Sequence, residues 1–297
     1  MITMQLFLFF KSISKREIPG LILLFSIIFS IFKVLKKNPL VFMSRLLFKS
    51  CWLAFIAIFA GVSSFSQTAF NDNAKNNYRV GGTLSKLEDS LRKQFEDRNL
   101  AWPPQSLYIR SFKYDRQLEV WVKNDNKEPY RLFKTYKVCM QSGTTGPKRM
   151  EGDYQIPEGF YYINEFNPNS KYHLSLGLNY PNASDRILSD SLRPGGSIYI
   201  HGNCVSTGCI AISDLPIEEL FVIASRARAN GQDFIPVHVF PVKYDVKKSL
   251  QYLAEATIRN VAVQKFAIKL KEAFDYFEER KQLPVIMVSK SGEYVIN

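Results

Sequence analysis

The residue pattern predicts a β-rich α/β (α+β) domain, with helices flanking a strand-built core at both its N- and C-terminal ends. Three observations carry that expectation. Short runs with β-branched and aromatic residues at alternating positions, among them "LYIRSFK", "QLEVWVK" and "GFYYINEF", are separated by Gly-, Asn- and Pro-rich turns. Helical periodicity precedes these runs, follows them, and interrupts them once before "FIPVHVFPV". The chain of 297 residues shows no internal repeat and no low-complexity tract, and it is long enough for a sizeable core.

The first 66 residues differ from the rest. They hold two apolar runs, "GLILLFSIIFSIF" at 20–32 and "WLAFIAIFAGVSSF" at 52–65. From Met43 the pattern reads as an export signal: Arg45 and Lys49 form a basic start, an apolar stretch follows, and small residues end at Ser66. A retained membrane anchor is the rival, and it would make the membrane a partner only through an uncleaved leader. The run from Leu21 is short for a helix that must cross about 20 apolar residues of bilayer, and Lys33 interrupts its end. Residues 1–66 carry eight Lys/Arg and one Glu, so +7 of the formal net charge of +12 belongs to them and +5 is left for the remainder. The basic balance is therefore mostly a targeting feature, and no nucleic-acid partner is expected.

The elements follow in order. Residues 67–79 read as a flexible lead-in. Leu84, Leu87, Leu91 and Phe95 recur at spacings of three and four, which predicts a one-sided helix over 83–98, ended by "AWPPQ". "LYIRSFK" and "QLEVWVK" around "YDRQ" predict a hairpin, and "YRLFKTYKVCM" a third strand. A Gly-rich loop, "QSGTTGPKRMEGD", leads to strands at "GFYYINEF" and "YHLSLGLNY". "YPNASDRIL" has turn character, and "GGSIYIHG" is a strand entered through Gly-Gly. A helix is predicted over 214–226, capped by Ser213 or Asp214, with Pro216 and Glu218 in its first turn and Gly231 past its end. "FIPVHVFPV" returns as a strand. Helices over about 245–256 and 262–280 and a strand–turn–strand in "LPVIMVSKSGEYVI" complete the chain.

Chemistry concentrates in "IHGNCVSTGCIAISD", residues 200–214, where His201, Cys204 and Cys209 fall close together. Without Cys51 of the leader, three cysteines remain, and an odd count in an exported protein suggests a free thiol. A metal site would need about four ligands in tight pairs, and no second pair accompanies this one. No metal or other cofactor is expected. A disulfide among Cys139, Cys204 and Cys209 is open in any pairing, and Cys139 in its apolar strand also fits a buried free thiol. A nucleophile is the third reading. Cys209 follows the small, flexible Ser206, Thr207 and Gly208, precedes the 214–226 helix, and has His201 at the end of a strand as its base. The amides of Gly208 and Cys209 could then face an oxyanion. Cys204 has bulkier neighbours and no turn before it. His173 and His238 read as ordinary strand residues, and Lys148 and Asp153 as pins of the 148–161 hairpin.

At these residues the chain resembles the L,D-transpeptidase catalytic domain family, the YkuD domain. His201 and Gly202 match its upstream His-Gly, and Ser206, Gly208, Cys209 and Ile210 match its Ser-His-Gly-Cys-apolar motif. Lys148, Gly152, Asp153, Pro157, Glu158, Gly159 and Tyr161 are similar to its preceding hairpin. "LGLNYPNASDR" also resembles the segment the family places before its His-Gly. Thr207 stands where the family has a second His, Ala211 where it has Arg, and Asp214 where it has Asn. The shortened spacing with Cys204 inside it is similar to the YafK-like branch, which includes a periplasmic enzyme that releases a lipoprotein from peptidoglycan.

The resemblance implies a YkuD-like mixed β-sandwich or barrel core over 105–243. Around it lie the leader (1–66, signal at 43–66), a linker and helical lead-in (67–104) and a C-terminal helical extension with a terminal hairpin (244–297). It further implies Cys209 as nucleophile and His201 as general base and acid. Gly208, Ser206 and Thr207 would support the loop and oxyanion, with Tyr180 as a further helper. Peptidoglycan stem peptides are the implied partners, with a wall-linked protein as a possible second. The implied activity is an exported L,D-transpeptidase transferring to an amine. A hydrolase of the same fold and a non-catalytic wall-binding module are the alternatives. The periplasm or cell envelope is the implied location.

Overall fold

The computed structural model describes residues 78–297, with side chains from Leu87 onward. The leader over 1–66, its signal at 43–66, the start of the linker at 67–77 and the side chain of Leu84 lie outside the described residues. Among the described residues no helix is long and apolar enough to cross a membrane.

Eight strands form one mixed sheet: β1 (Ser106–Phe112), β2 (Gln117–Lys123), β3 (Arg131–Lys137), β4 (Gly159–Asn167), β5 (Ser175–Leu178), β6 (Tyr199–His201), β7 (Ile210–Ala211) and β8 (Pro236–Phe240). Their spatial order is β3-β2-β1-β8-β4-β5-β6-β7. The β1–β8 and β6–β7 pairs are parallel and the others antiparallel. The two edges of this order meet. Past the end of β3, Met140 bridges Ala211 of β7, and the Cys139 N–H reaches the Ala211 carbonyl at 2.8 Å. The sheet therefore closes on itself, which gives the barrel-like core expected from the sequence.

Helix α1 (Tyr78–Glu96) starts five residues before the expected span and ends two before it. Asn99 at φ 52° turns the chain, and the Leu100 N–H reaches back to the Phe95 carbonyl at 2.9 Å. Leu91 and Phe95 are fully buried, with the Phe95 ring 4.3 Å from Phe133 and 4.9 Å from Trp102. Helix α3 (Asp214–Ala229) lies beside α1, and Arg226 pairs with Glu88 across them. Ile217, Leu220, Phe221 and Ala224 of α3 join Leu107, Ile109, Val120, Ile200 and Ile210 in the largest apolar core.

The opposite face of β1 and β2 is also buried, although its residues look amphipathic in sequence. The C-terminal elements cover it: α4 (Lys247–Thr257), α5 (Val261–Arg280) and the hairpin β9 (Ile286–Val288) and β10 (Tyr294–Ile296). Phe274 and Leu270 of α5 pack with Phe112, Phe240 and Tyr294, while Phe277 packs with Tyr108, Trp121 and Tyr130. Arg110 is buried among these rings and forked between Glu119 (2.6 Å) and Glu278 of α5 (2.6 Å).

Several expectations are corrected. "YPNASDRIL" is not only a turn: it contains helix α2 (Ala183–Leu188). Asn182 caps it, and Asp185 returns the bond to the Asn182 N–H. His173 is not in a strand. It sits at φ 74° in the turn before β5, with Nε2 2.7 Å from Glu218. That contact pairs Glu218 rather than leaving it as a free first-turn charge. Neither expected residue caps α3 through its side chain. Ser213, at φ 64°, donates its hydroxyl to the Ile212 carbonyl, and Asp214 accepts the Asn203 N–H at 2.7 Å. Cys139 is not a free thiol, because it is bonded to Cys204.

Candidate active site

The loop 202–209 joins β6 to β7, two parallel neighbours in register, with Ile200 opposite Ile210 and His201 opposite Ala211. Ile200 and Ile210 point into the main core. Side chains alternate along a strand, so His201 of β6, and Cys209 where the loop runs into β7, are expected on the opposite face. The register carries Cys209 level with Tyr199. Strand spacing and rise then put the His201 and Cys209 Cα atoms roughly 8 Å apart, within reach of an imidazole and a thiol.

The loop is tied at both ends and in the middle. The Cys139–Cys204 disulfide fastens it to the seam where the sheet closes, and Asn203 is held by Asp214. Ser206 Oγ accepts the Cys209 N–H at 2.9 Å and donates to the Cys209 carbonyl at 2.7 Å, folding the turn onto itself. Gly208 is needed where it stands. Its φ is +108°, and a Cβ there would come within 3.3 Å of the Gln155 carbonyl. Thr207 is exposed at the tip of this turn.

Cys209 is the free cysteine among the described residues and is partly buried. Its Sγ lies 3.7 Å from the Ser197 carbonyl, to which the thiol donates. Burial pushes the thiol up from its ordinary range, while the Tyr199 backbone N–H and the charge of Lys148 pull it back down. His201 is 1% exposed, and burial pushes its imidazole below the usual range. Its Nδ1 lies 2.5 Å from the Gly202 carbonyl. A carbonyl only accepts, so Nδ1 carries the proton and Nε2 keeps its lone pair. The Tyr172 ring covers the imidazole at 4.8 Å.

Other site expectations fall differently. The Tyr180 hydroxyl donates to the Pro194 carbonyl at 2.8 Å, with the Lys148 carbonyl at 3.5 Å, so it braces the chain that leads to Ser197 and is not aimed at Cys209. The Cys209 N–H, one of the two amides expected to face an oxyanion, is engaged by Ser206 Oγ instead. Cys209 enters strand β7 directly, so the start of α3, five residues further on, is not at the thiol. Cys204 is held in the disulfide and brings no metal ligand. Among the described residues no three His, Cys, Asp or Glu side chains gather in a metal-holding group. Tyr172, Ser197 and Lys148 at the site escaped the local reading, because only the folded sheet brings them to residues 201–209.

The family model of the L,D-transpeptidase catalytic domain, YkuD, matches residues 108–239. The chain is 32% identical over 212 residues to YafK of Escherichia coli strain K12, itself named as a candidate L,D-transpeptidase, a match spanning 70% of this chain and 79% of YafK. Among solved structures, the helical cell shape determining protein Pgp2 from Campylobacter jejuni aligns with a TM-score of 0.38 and 21% identity, over 62% of this chain and 73% of Pgp2. L,D-transpeptidase 1 from Mycobacterium tuberculosis aligns with a TM-score of 0.26 and 14% identity, over 45% of this chain and 61% of the other. With a third of its aligned residues shared with YafK over most of both lengths, and with the family model matching residues 108–239, the chain belongs to the L,D-transpeptidase catalytic domain family.

Proposed function

We infer that the protein is an exported, peptidoglycan-active L,D-transpeptidase with Cys209 as nucleophile and His201 as general base and acid. Family membership supports a peptidoglycan-modifying enzyme. What supports the finer reading is the β6–β7 register, which brings the segment of the free thiol Cys209 next to that of His201, whose Nδ1 is engaged by the Gly202 carbonyl and whose Nε2 is left to take a proton.

In the first step Cys209 Sγ attacks the carbonyl of the third residue of a stem peptide. Its proton passes to His201 Nε2, the C–N bond breaks, and the departing amine takes that proton, leaving a thioester. The Gly208 N–H faces the oxyanion. In the second step an amine acceptor gives up a proton to His201 and displaces the thiolate, which takes that proton from His201 and restores the thiol. Water in the same place gives hydrolysis and release of a peptide or wall-linked protein. Ala211, fully buried where the family carries Arg, supplies no charge to hold a substrate carboxylate and favours keeping this second reading.

Incubating the protein with muropeptides and weighing the products tests both readings. Crosslinked dimers mean transfer, and only shortened or released species mean hydrolysis. Cys209→Ala abolishes either product and the thioester adduct. Full activity in that variant, or an adduct on another residue, overturns the assignment.

A further inference from the structure

Lys148 lies outside the Cys209 loop, yet two chains of contacts connect it to that loop. It is 5% exposed, and its Nζ donates to Asp153 Oδ1 at 2.5 Å and to the Met150 carbonyl at 2.8 Å. Its stem runs beneath Gly195, where φ is +86° and a Cβ would stand 3.0 Å from Lys148 Cε. Two residues further along, Ser197 offers the carbonyl that takes the Cys209 thiol. On the other side, Asp153 Oδ1 accepts the Gln155 N–H at 3.0 Å, and the Gln155 carbonyl is the atom packed against Gly208. Both walls of the thiol therefore rest on the Lys148–Asp153 pair. Strand β7 brings no cation of its own, since Ala211 occupies the place of the family's Arg.

We propose that Lys148 is a positioning residue for Cys209: its ammonium, anchored by Asp153, holds negative charge on the thiol sulfur and so sets how readily Cys209 reacts. The groups facing Cys209 are consistent with that. Lys148 is the positive one, with Asp153 behind it. The Tyr199 phenol beside Cys209 is bonded to Glu165, and His201 lies diagonally on β6. The consequence for turnover rests on the reading of Cys209 as nucleophile. The charge effect itself does not.

The signs differ for the two partners. Removing the Lys148 charge raises the pH at which the thiol ionises. Removing the Asp153 charge leaves Lys148 uncompensated and lowers it. The test uses the full chain, with iodoacetamide rates measured against pH and modification read at Cys209 by peptide mass. Lys148→Met should raise the midpoint by about 0.5 pH or more, Lys148→Arg should restore it, and Asp153→Asn should lower it. An unmoved midpoint in a folded Lys148→Met, or a shift in the same direction for Lys148→Met and Asp153→Asn, overturns the proposal. If Lys148→Met fails to fold, Asp153→Asn decides, because no downward shift there has the same force. Alkylation needs no turnover, so a Cys209→Ala variant that keeps its activity sinks the enzymatic reading while leaving this result readable.

Discussion

At the scale of single residues, burial favours the neutral form of both His201 and Cys209. It raises the thiol and lowers the imidazole, the direction that keeps the proton on sulfur. A preformed thiolate–imidazolium pair would instead react with alkylating agents at nearly constant rate from mildly acidic pH upward. The neutral pair predicts an iodoacetamide rate at Cys209 that keeps climbing through about pH 8.5, the range of an ordinary thiol. A flat rate from about pH 6, below that range, would contradict it. The two residues were legible in the sequence because the motif places them on either side of one short loop. The nearness of Ser197, Tyr172 and Lys148 was not, because they lie in connecting segments that strand pairing brings to the 201–209 loop. The disulfide partner of Cys204 was illegible for the same reason: Cys139 lies 65 residues away and reaches it only through the closing seam. Tyr180 looked like an oxyanion helper by position, but the local path of the chain gives its hydroxyl to the Pro194 carbonyl.

Among the elements, the longer strands were readable as patterns and their boundaries held to within a few residues, whereas the two-residue β7 and helix α2 were missed. The six residues of α2 are too few for periodicity, and Asn182, Ser184 and Asp185 are the residue types that also mark turns. Here Asn182 and Asp185 form a capping box, and Ser184 donates to the Gly292 carbonyl. Asp185 also accepts the Tyr161 hydroxyl at 3.0 Å, and its burial raises its carboxyl to about 6 from 3.8. The folded chain thus holds a proton on Asp185 over a range where the unfolded chain does not. The associated stability is fully present below the unfolded value and is lost as pH rises through about 6. Asp185→Asn can keep both accepted bonds through its amide oxygen while removing the charge. Relative to this variant, the native protein should lose on the order of 3 kcal/mol of unfolding free energy between about pH 4 and pH 7. Denaturant titrations of both across that range check it. Parallel pH dependences would mean that Asp185 is ionised throughout. Carboxylates whose ion pairs pull them the other way, such as Glu119 and Glu278, act equally in both chains and cancel in the difference.

For the whole molecule, the part matched by the family model ends at residue 239, but its structure does not stand there alone. The outer face of β1, β2 and β8 presents Tyr108, Phe112, Trp121 and Phe240, and α5 covers them with Leu270, Phe274 and Phe277. Losing that cover re-exposes several large side chains, each contributing about 1.5–3 kcal/mol when fully buried. The sum rivals the roughly 5–15 kcal/mol that keeps a whole domain folded. Charge adds to the loss. Without α5, Arg110 is separated from Glu278, one of its two carboxylate partners. Near the site, the terminal hairpin holds α2, because the Tyr294 hydroxyl accepts from Asn182 and the Gly292 carbonyl accepts from Ser184 at 2.5 Å. Helix α2 in turn leads into the chain that carries Ser197 to Cys209. A fragment cut after Lys243 should therefore lack a cooperative unfolding transition and lose Cys209-dependent turnover, while the chain through Asn297 shows one sharp transition. Circular dichroism of the two during thermal melting decides the matter. A cooperative melt in the shortened fragment would make the extension an appendage, whereas its absence makes residues 244–297 part of the catalytic fold.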